Sequence, residues 1–214
     1  MKIGKRLLGQ RKKMEIVFNY ITPNEFSRPQ KKRQCMLALV MHWTANATMS
    51  AQAIRDFFDA KKTGAGGYGS AHYVVGQKGE IIACVPENEI AYHCGSSAID
   101  PASQRVYTDE ARARFGAYAA DSAHTSPNFC TIGVELCPVN LAGDFSEATI
   151  KAAAELAATI LHRYRLDERA ITTHHDVVGW KDCPRSWTAH PELLESFRAD
   201  VKHELEALEA KLRG

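Results

Sequence analysis

The run Cys35-Met36-Leu37-Ala38-Leu39-Val40-Met41-His42-Trp43-Thr44 is apolar at nearly every position and short. A strand of that kind must be covered on both faces, so this one segment already points to an α/β sheet flanked by helices. The run closes on His42. In α/β proteins the carboxyl ends of central strands are where ligand-binding groups stand. Taken alone, His42 also fits a core imidazole with its hydrogen bonds satisfied.

Two other stretches share this form. Thr131-Ile132-Gly133-Val134-Glu135-Leu136-Cys137 is an apolar strand broken by a single carboxylate. A Glu in such a setting needs a partner or a task, unless its strand is an edge that turns it to solvent. The stretch from Thr172 to Pro184 holds two imidazoles (His174, His175), a thiol (Cys183), a carboxylate and an ammonium (Lys181). The β-leaning lead Ala170-Ile171-Thr172-Thr173 places the histidines at a strand end, and Cys183 follows on a Gly-Trp loop. A histidine and a cysteine so placed can converge while leaving one coordination position free, as catalytic zinc requires. A third ligand has to come from elsewhere in the chain.

The intervening segments read as ordinary α/β scaffolding. Ser50 to Lys62 is an amphipathic helix with Ser50 as N-cap and Ile54, Phe57 and Phe58 on its buried face. Gly64 to Gly69 is a glycine-rich loop with Tyr68, lacking the Lys-Ser/Thr of a phosphate loop, and is expected to border substrate. Residues 70–85 form a hairpin turning at Lys78-Gly79. Residues 96–128 are a polar insertion with a helix over 109–120, where His124 reads as a surface residue. Ser146 caps a long helix to Tyr164, and a terminal helix over 191–212 carries the stripe Leu194, Phe197, Val201, Leu205, Leu208 and Leu212.

Composition narrows the function classes. A net charge of +2 over 214 residues argues for no nucleic-acid partner, and no apolar run reaches the roughly 20 residues that membrane insertion needs. Six cysteines in a chain of this length do not make a disulfide scaffold, and Cys35, Cys84 and Cys137 read as small core residues. The basic start over residues 1–13 is followed by no apolar h-region, so a cytoplasmic product is expected. Delivery to a cell wall would then need a separate export or lysis factor. Residues 1–34 are expected to be a basic tail and an extended, irregular lead-in, and residues 35–214 a single domain, monomeric.

The motifs Val40–Ala45, Ser70–Val75, Ile90–Gly95, Thr131–Glu135, and His174-His175-Asp176 with Lys181-Asp182-Cys183-Pro184 occur in an order that resembles one family. This is the type 2 N-acetylmuramoyl-L-alanine amidases, related to peptidoglycan-recognition proteins and phage lysozyme-type amidases. The resemblance covers roughly residues 36–190. It implies an α/β fold with a central mixed sheet and helices on both faces. It also implies zinc (Zn2+) held by His42, His174 and Cys183, Glu135 as catalytic acid/base, and Lys181 as the stabiliser of the oxyanion. His174 is preferred over His175 because the family's ligand lies two residues before the acidic one. His93, Tyr68, Trp43 and His175 are implied as substrate-binding neighbours. The substrate would be peptidoglycan or muropeptides, cut between the lactyl group of N-acetylmuramic acid and L-alanine. Some members carry a catalytic tyrosine where this chain has Ala71, which leaves the base role to Glu135 alone. The competing classes are a non-catalytic muropeptide-binding module and a closed structural zinc site.

Overall fold

The computed structural model describes residues 14–120 and 125–213. The basic stretch 1–13 and His124 lie outside the described residues. Six strands form one mixed sheet: β1 (Ile16–Phe18), β2 (Ala38–Trp43), β3 (Tyr73–Val75), β4 (Ile81–Ala83), β5 (Thr131–Leu136) and β6 (Ile171–Thr173). Their spatial order is β1-β4-β3-β5-β2-β6. Every neighbouring pair is parallel except β3 and β4, which form the expected hairpin. Gly79 makes that turn at φ 79°, and a Cβ there would stand 2.9 Å from the carbonyl oxygen of Ala148.

Strand alternation sorts the two central strands into a packing face and a chemical face. Leu39 and Met41 of β2, with Ile132, Val134 and Leu136 of β5, join the larger apolar core. Ala38, Val40 and His42 point the other way, as do Thr131, Gly133 and Glu135. The packing face is covered by α3 (Glu147–Tyr164) and α6 (Glu192–Arg213). Ser146 starts α3 as expected, its hydroxyl accepting the Thr149 N–H at 3.0 Å. The alanines Ala153, Ala154 and Ala157 let α3 lie close on the sheet. From α6, Leu194, Phe197, Val201 and Leu205 are buried, whereas Leu212 is 65% exposed, so the stripe outruns the surface it covers. Trp187, on a short helix α5 (Arg185–Ala189) that the sequence pattern did not announce, packs between Phe145 and Phe197.

The chemical face is covered by α1 (Ala51–Ala60), α2 (Asp109–Phe115) and α4 (His174–Val178). In α1, Ala51, Ile54 and Phe58 form the buried stripe, but Phe57 is 52% exposed. Phe57 is turned about 100° from Phe58, so the two cannot share one face, and the expected burial of Phe57 is corrected. The fold class, a central mixed sheet with helices on both faces, is as the sequence implied.

Part of the lead-in joins the sheet. Ile16–Phe18 pairs with β4, and the Asn19 and Ile21 N–H groups continue onto the carbonyls of Ala83 and Cys84. Ile21 is fully buried. Arg28 then clamps both carboxylate oxygens of Glu89 at 2.9 and 2.8 Å. The three residues of β1 are too few for a periodic signal, so only pairing with a strand more than sixty residues away defines them.

Candidate metal centre

Three local structures deliver three side chains to one point. His42 is the fifth residue of β2, 2% exposed. Thr173 ends β6 and caps α4 with a full capping box, its hydroxyl accepting the Asp176 N–H while Asp176 accepts the Thr173 N–H. That cap fixes His174 as the first residue of α4, 5% exposed. His174 and His175 thus open a helical turn just past the strand end. Cys183 sits on the following loop, 3% exposed, its carbonyl accepting the His175 N–H at 2.9 Å. One ligand atom from each of His42, His174 and Cys183 lies within 4.8 Å of the others.

This triplet fits a metal ion. Tetrahedral zinc, with Zn–N near 2.0–2.1 Å and Zn–S near 2.3 Å, places its donors roughly 3.3–3.7 Å apart. The Cys183 Sγ to His42 Nδ1 distance is 3.7 Å. Burial, with the neighbouring His174, His93 and Lys181 adding to it, holds His42 well below the ordinary histidine range. Burial and then the Lys181 charge bring His174 down to about 3. Both imidazoles are thus in the neutral, ligating form. Burial pushes the Cys183 thiol up to about 12, so a cation is needed to hold its thiolate here.

Glu135 stands directly across from His42 in the parallel register of β2 and β5. Burial raises its carboxyl to about 8, partly offset by the Lys181 ammonium. Its Oε2 is buried with no hydrogen-bond partner among the described residues. Such an atom calls for a polar group that the chain itself does not supply. Glu135 lies on a central strand, so the edge-strand reading of this residue is removed.

His42, His174, Cys183, Glu135, Lys181, Trp43, Tyr68 and His93 all line one cavity of about 520 Å³. Trp43 also ties the loop down, its indole N–H donating to the Asp182 carbonyl at 3.0 Å. Tyr68 is exposed and packs edge-on against Tyr92. His175 stands apart from the cavity wall; its ring nitrogen meets the Lys181 carbonyl at 3.1 Å, so it holds the loop that carries Lys181. Phe57, which periodicity assigned to the buried face of α1, is a wall residue, and so are Lys61 and Tyr92, to which the sequence reading gave no site role.

The family model described as N-acetylmuramoyl-L-alanine amidase matches residues 32–186. The chain belongs to this amidase family. The N-acetylmuramoyl-L-alanine amidase CwlL of Bacillus licheniformis is 33% identical over 192 residues, covering 88% of this chain and 47% of that protein. A probable N-acetylmuramoyl-L-alanine amidase of the same species is 31% identical over 188 residues, covering 88% of the chain and 47% of the relative. The chain thus spans about half the length of the curated relatives it matches. Among solved structures, a mutant endolysin from Bacillus subtilis superposes with TM-score 0.63 at 22% identity, covering 88% of this chain and 99% of that one. The PlyG catalytic domain gives 0.65 at 18%, covering 90% and 96%. At those identities the likeness concerns the fold.

The amidase scaffold also fixes a glycine for reasons of space. A Cβ on Gly133 would stand 2.5 Å from the ring carbon Cγ of His93. Gly133→Ala is therefore expected to destabilise the protein by about 1–3 kcal/mol, the usual cost of overpacking, a fall of roughly 2–12 °C in Tm. Thermal denaturation followed by circular dichroism checks this; an unchanged Tm would show that the His93 ring moves aside freely.

Proposed function

We propose that this chain is a zinc-dependent N-acetylmuramoyl-L-alanine amidase. It hydrolyses the amide between the lactyl group of N-acetylmuramic acid and L-alanine in peptidoglycan or muropeptides. The observation that carries the proposal is the convergence of His42, His174 and Cys183 beside the unpartnered Oε2 of Glu135. The family membership and the names of the relatives support the substrate.

When bound by these three side chains, zinc supplies a Lewis acid that acidifies water and polarises the scissile carbonyl. Glu135 performs the proton traffic: its carboxylate takes a proton from the attacking water and returns it to the leaving amine of L-alanine. The ionised form that this needs is favoured by the Lys181 charge, which acts against the burial that raises the carboxyl. Lys181, carried by the loop that His175 and Trp43 tether, offsets the negative charge that builds on the carbonyl oxygen. The aromatic wall of Trp43, Tyr68 and Tyr92 gives the glycan and stem peptide apolar faces to pack on.

The test is digestion of purified peptidoglycan with the zinc-loaded protein. New L-alanine amino termini without new reducing sugar ends are expected, and a chelator should abolish them. Stoichiometric zinc with no new termini would instead point to a muropeptide-binding protein. A chain that takes up no zinc would overturn the reading of the centre.

A further inference from the structure

His93 lines the cavity but does more than face it. Its Nδ1 lies 3.1 Å from Nε2 of His42, the ring nitrogen that points away from Cys183. Its Nε2 lies 3.2 Å from the Thr131 hydroxyl, and that hydroxyl stands 2.6 Å from the Pro127 carbonyl. A carbonyl oxygen only accepts, so the single Thr131 proton goes to Pro127. The Thr131 oxygen, which also has the weak thiol donor of Cys94 at 3.4 Å, then accepts from His93 at 3.2 Å, which puts the His93 proton on Nε2. The contact between the two rings takes one proton, and with the His93 proton on Nε2 it is the Nδ1 of His93 that offers the lone pair. His42 must therefore donate from Nε2, and its remaining lone pair lies on Nδ1, the atom nearest Cys183.

Two further features keep His93 in place. Asn128 Oδ1 accepts the backbone N–H groups of His93, Cys94 and Gly95 at 3.1, 3.0 and 3.2 Å. Gly133 leaves the room that a side chain would occupy. His72 closes the far side edge-on, its ring held by the Gly133 N–H and the Glu89 carbonyl.

We propose that His93 is a positioning residue of the metal centre: the chain Pro127–Thr131–His93–His42 sets the tautomer of His42 so that Nδ1 is presented to zinc. Outer partners of this kind orient a ligating imidazole and raise its basicity, and losing one costs about 10–100-fold in metal affinity. The inference rests on the zinc reading above, and its test separates the two.

Zinc dissociation constants, from competition with a chromophoric chelator, are compared for wild type, His93→Phe, His93→Asn and Thr131→Val. His93→Phe keeps the ring volume and loses the acceptor; its affinity should fall by about 10–100-fold. His93→Asn places Oδ1 near the position of Nδ1 and should recover affinity to within about threefold of wild type. Thr131→Val, isosteric but without the hydroxyl, frees the His93 tautomer and should weaken binding by roughly three- to tenfold. Cobalt-substituted His93→Phe should show shifted thiolate-to-metal and d–d bands, while His93→Asn keeps them. Ring 15N correlations of the wild type should give protons on Nε2 of both His42 and His93.

Unchanged affinity in both His93→Phe and Thr131→Val would overturn the proposal. So would a failure of Asn to restore binding, or a His93 proton on Nδ1. If His93→Phe does not fold, Thr131→Val and the wild-type ring spectra decide. A wild type that binds no zinc defeats the function proposed above; a wild type that binds zinc beside unaffected variants defeats only this inference.

Discussion

Cys183→Ala should lose its zinc on desalting and with it at least about 10⁴-fold of amide hydrolysis. The expectation follows from what the thiolate does in this site. His42 and His174 are neutral donors, so Cys183 brings the only negative charge among the three ligands. Removing it leaves two imidazoles to hold a dication, and the gain in water acidity that zinc provides, from about 15.7 to about 7, goes with the metal. The fold itself should survive. Cys183 contributes a small, buried side chain, and its backbone carbonyl, which holds His175, remains. Thermal melts discriminate the two effects. Zinc at a thousand times its dissociation constant adds about 4 kcal/mol to wild type, worth roughly 8–16 °C. That increment should vanish in Cys183→Ala while the metal-free melting temperatures stay close. Retained zinc and turnover in this variant would remove Cys183 from the ligand set.

Glu135→Gln should lower turnover by about 10²–10⁴-fold while zinc affinity stays within a few-fold. Glutamine keeps the shape and loses the proton acceptor, so metal content and activity part company only if Glu135 acts on protons and not on the metal. A loss of zinc in this variant would make Glu135 a ligand. The same substitution predicts a pH dependence of stability in the metal-free protein. Burial raises the Glu135 carboxyl from 4.5 to about 8. Below pH 4.5 the group is protonated both folded and unfolded and contributes no difference. Between 4.5 and 8 the unfolded chain ionises while the folded one holds its proton, so stability is lost as pH rises. Above about 8 the loss is complete, of order 5 kcal/mol. Glutamine does not titrate. The melting-temperature advantage of Glu135→Gln over wild type should therefore grow from pH 4.5 to 8 and then level off. A constant difference across that range would show that the carboxylate is already ionised in the fold.

The candidate site was legible in the sequence to the extent that its pieces are local. Short apolar runs ending at His42 and broken at Glu135, and the density of donors between His174 and Cys183, are visible without tertiary information. Burial of a strand on both faces leaves almost no polar position in it, so a lone histidine or glutamate stands out. Helix starts at Ser50 and Ser146 were equally readable, because a cap is a contact within three residues. The parity that puts Gly133 and Glu135 on one face follows from strand alternation alone.

Only the tertiary structure decided how those pieces meet. The register of β2 against β5, which sets His42 opposite Glu135, joins residues 93 positions apart and has no local signature. The bond from His93 to His42 spans 51 positions, and its counterpart at Thr131 looked like any other strand threonine. The edge strand Ile16–Phe18 exists through its pairing with β4. His174 begins a helix because Thr173 and Asp176 close a capping box there, where the apolar lead had suggested that the strand continued. Period and capping are written within a few residues of chain and so survive in the sequence. Register, ring-to-ring hydrogen bonds and the sharing of a face by distant helices arise only when the core closes, and they turned a set of donors into a candidate metal centre.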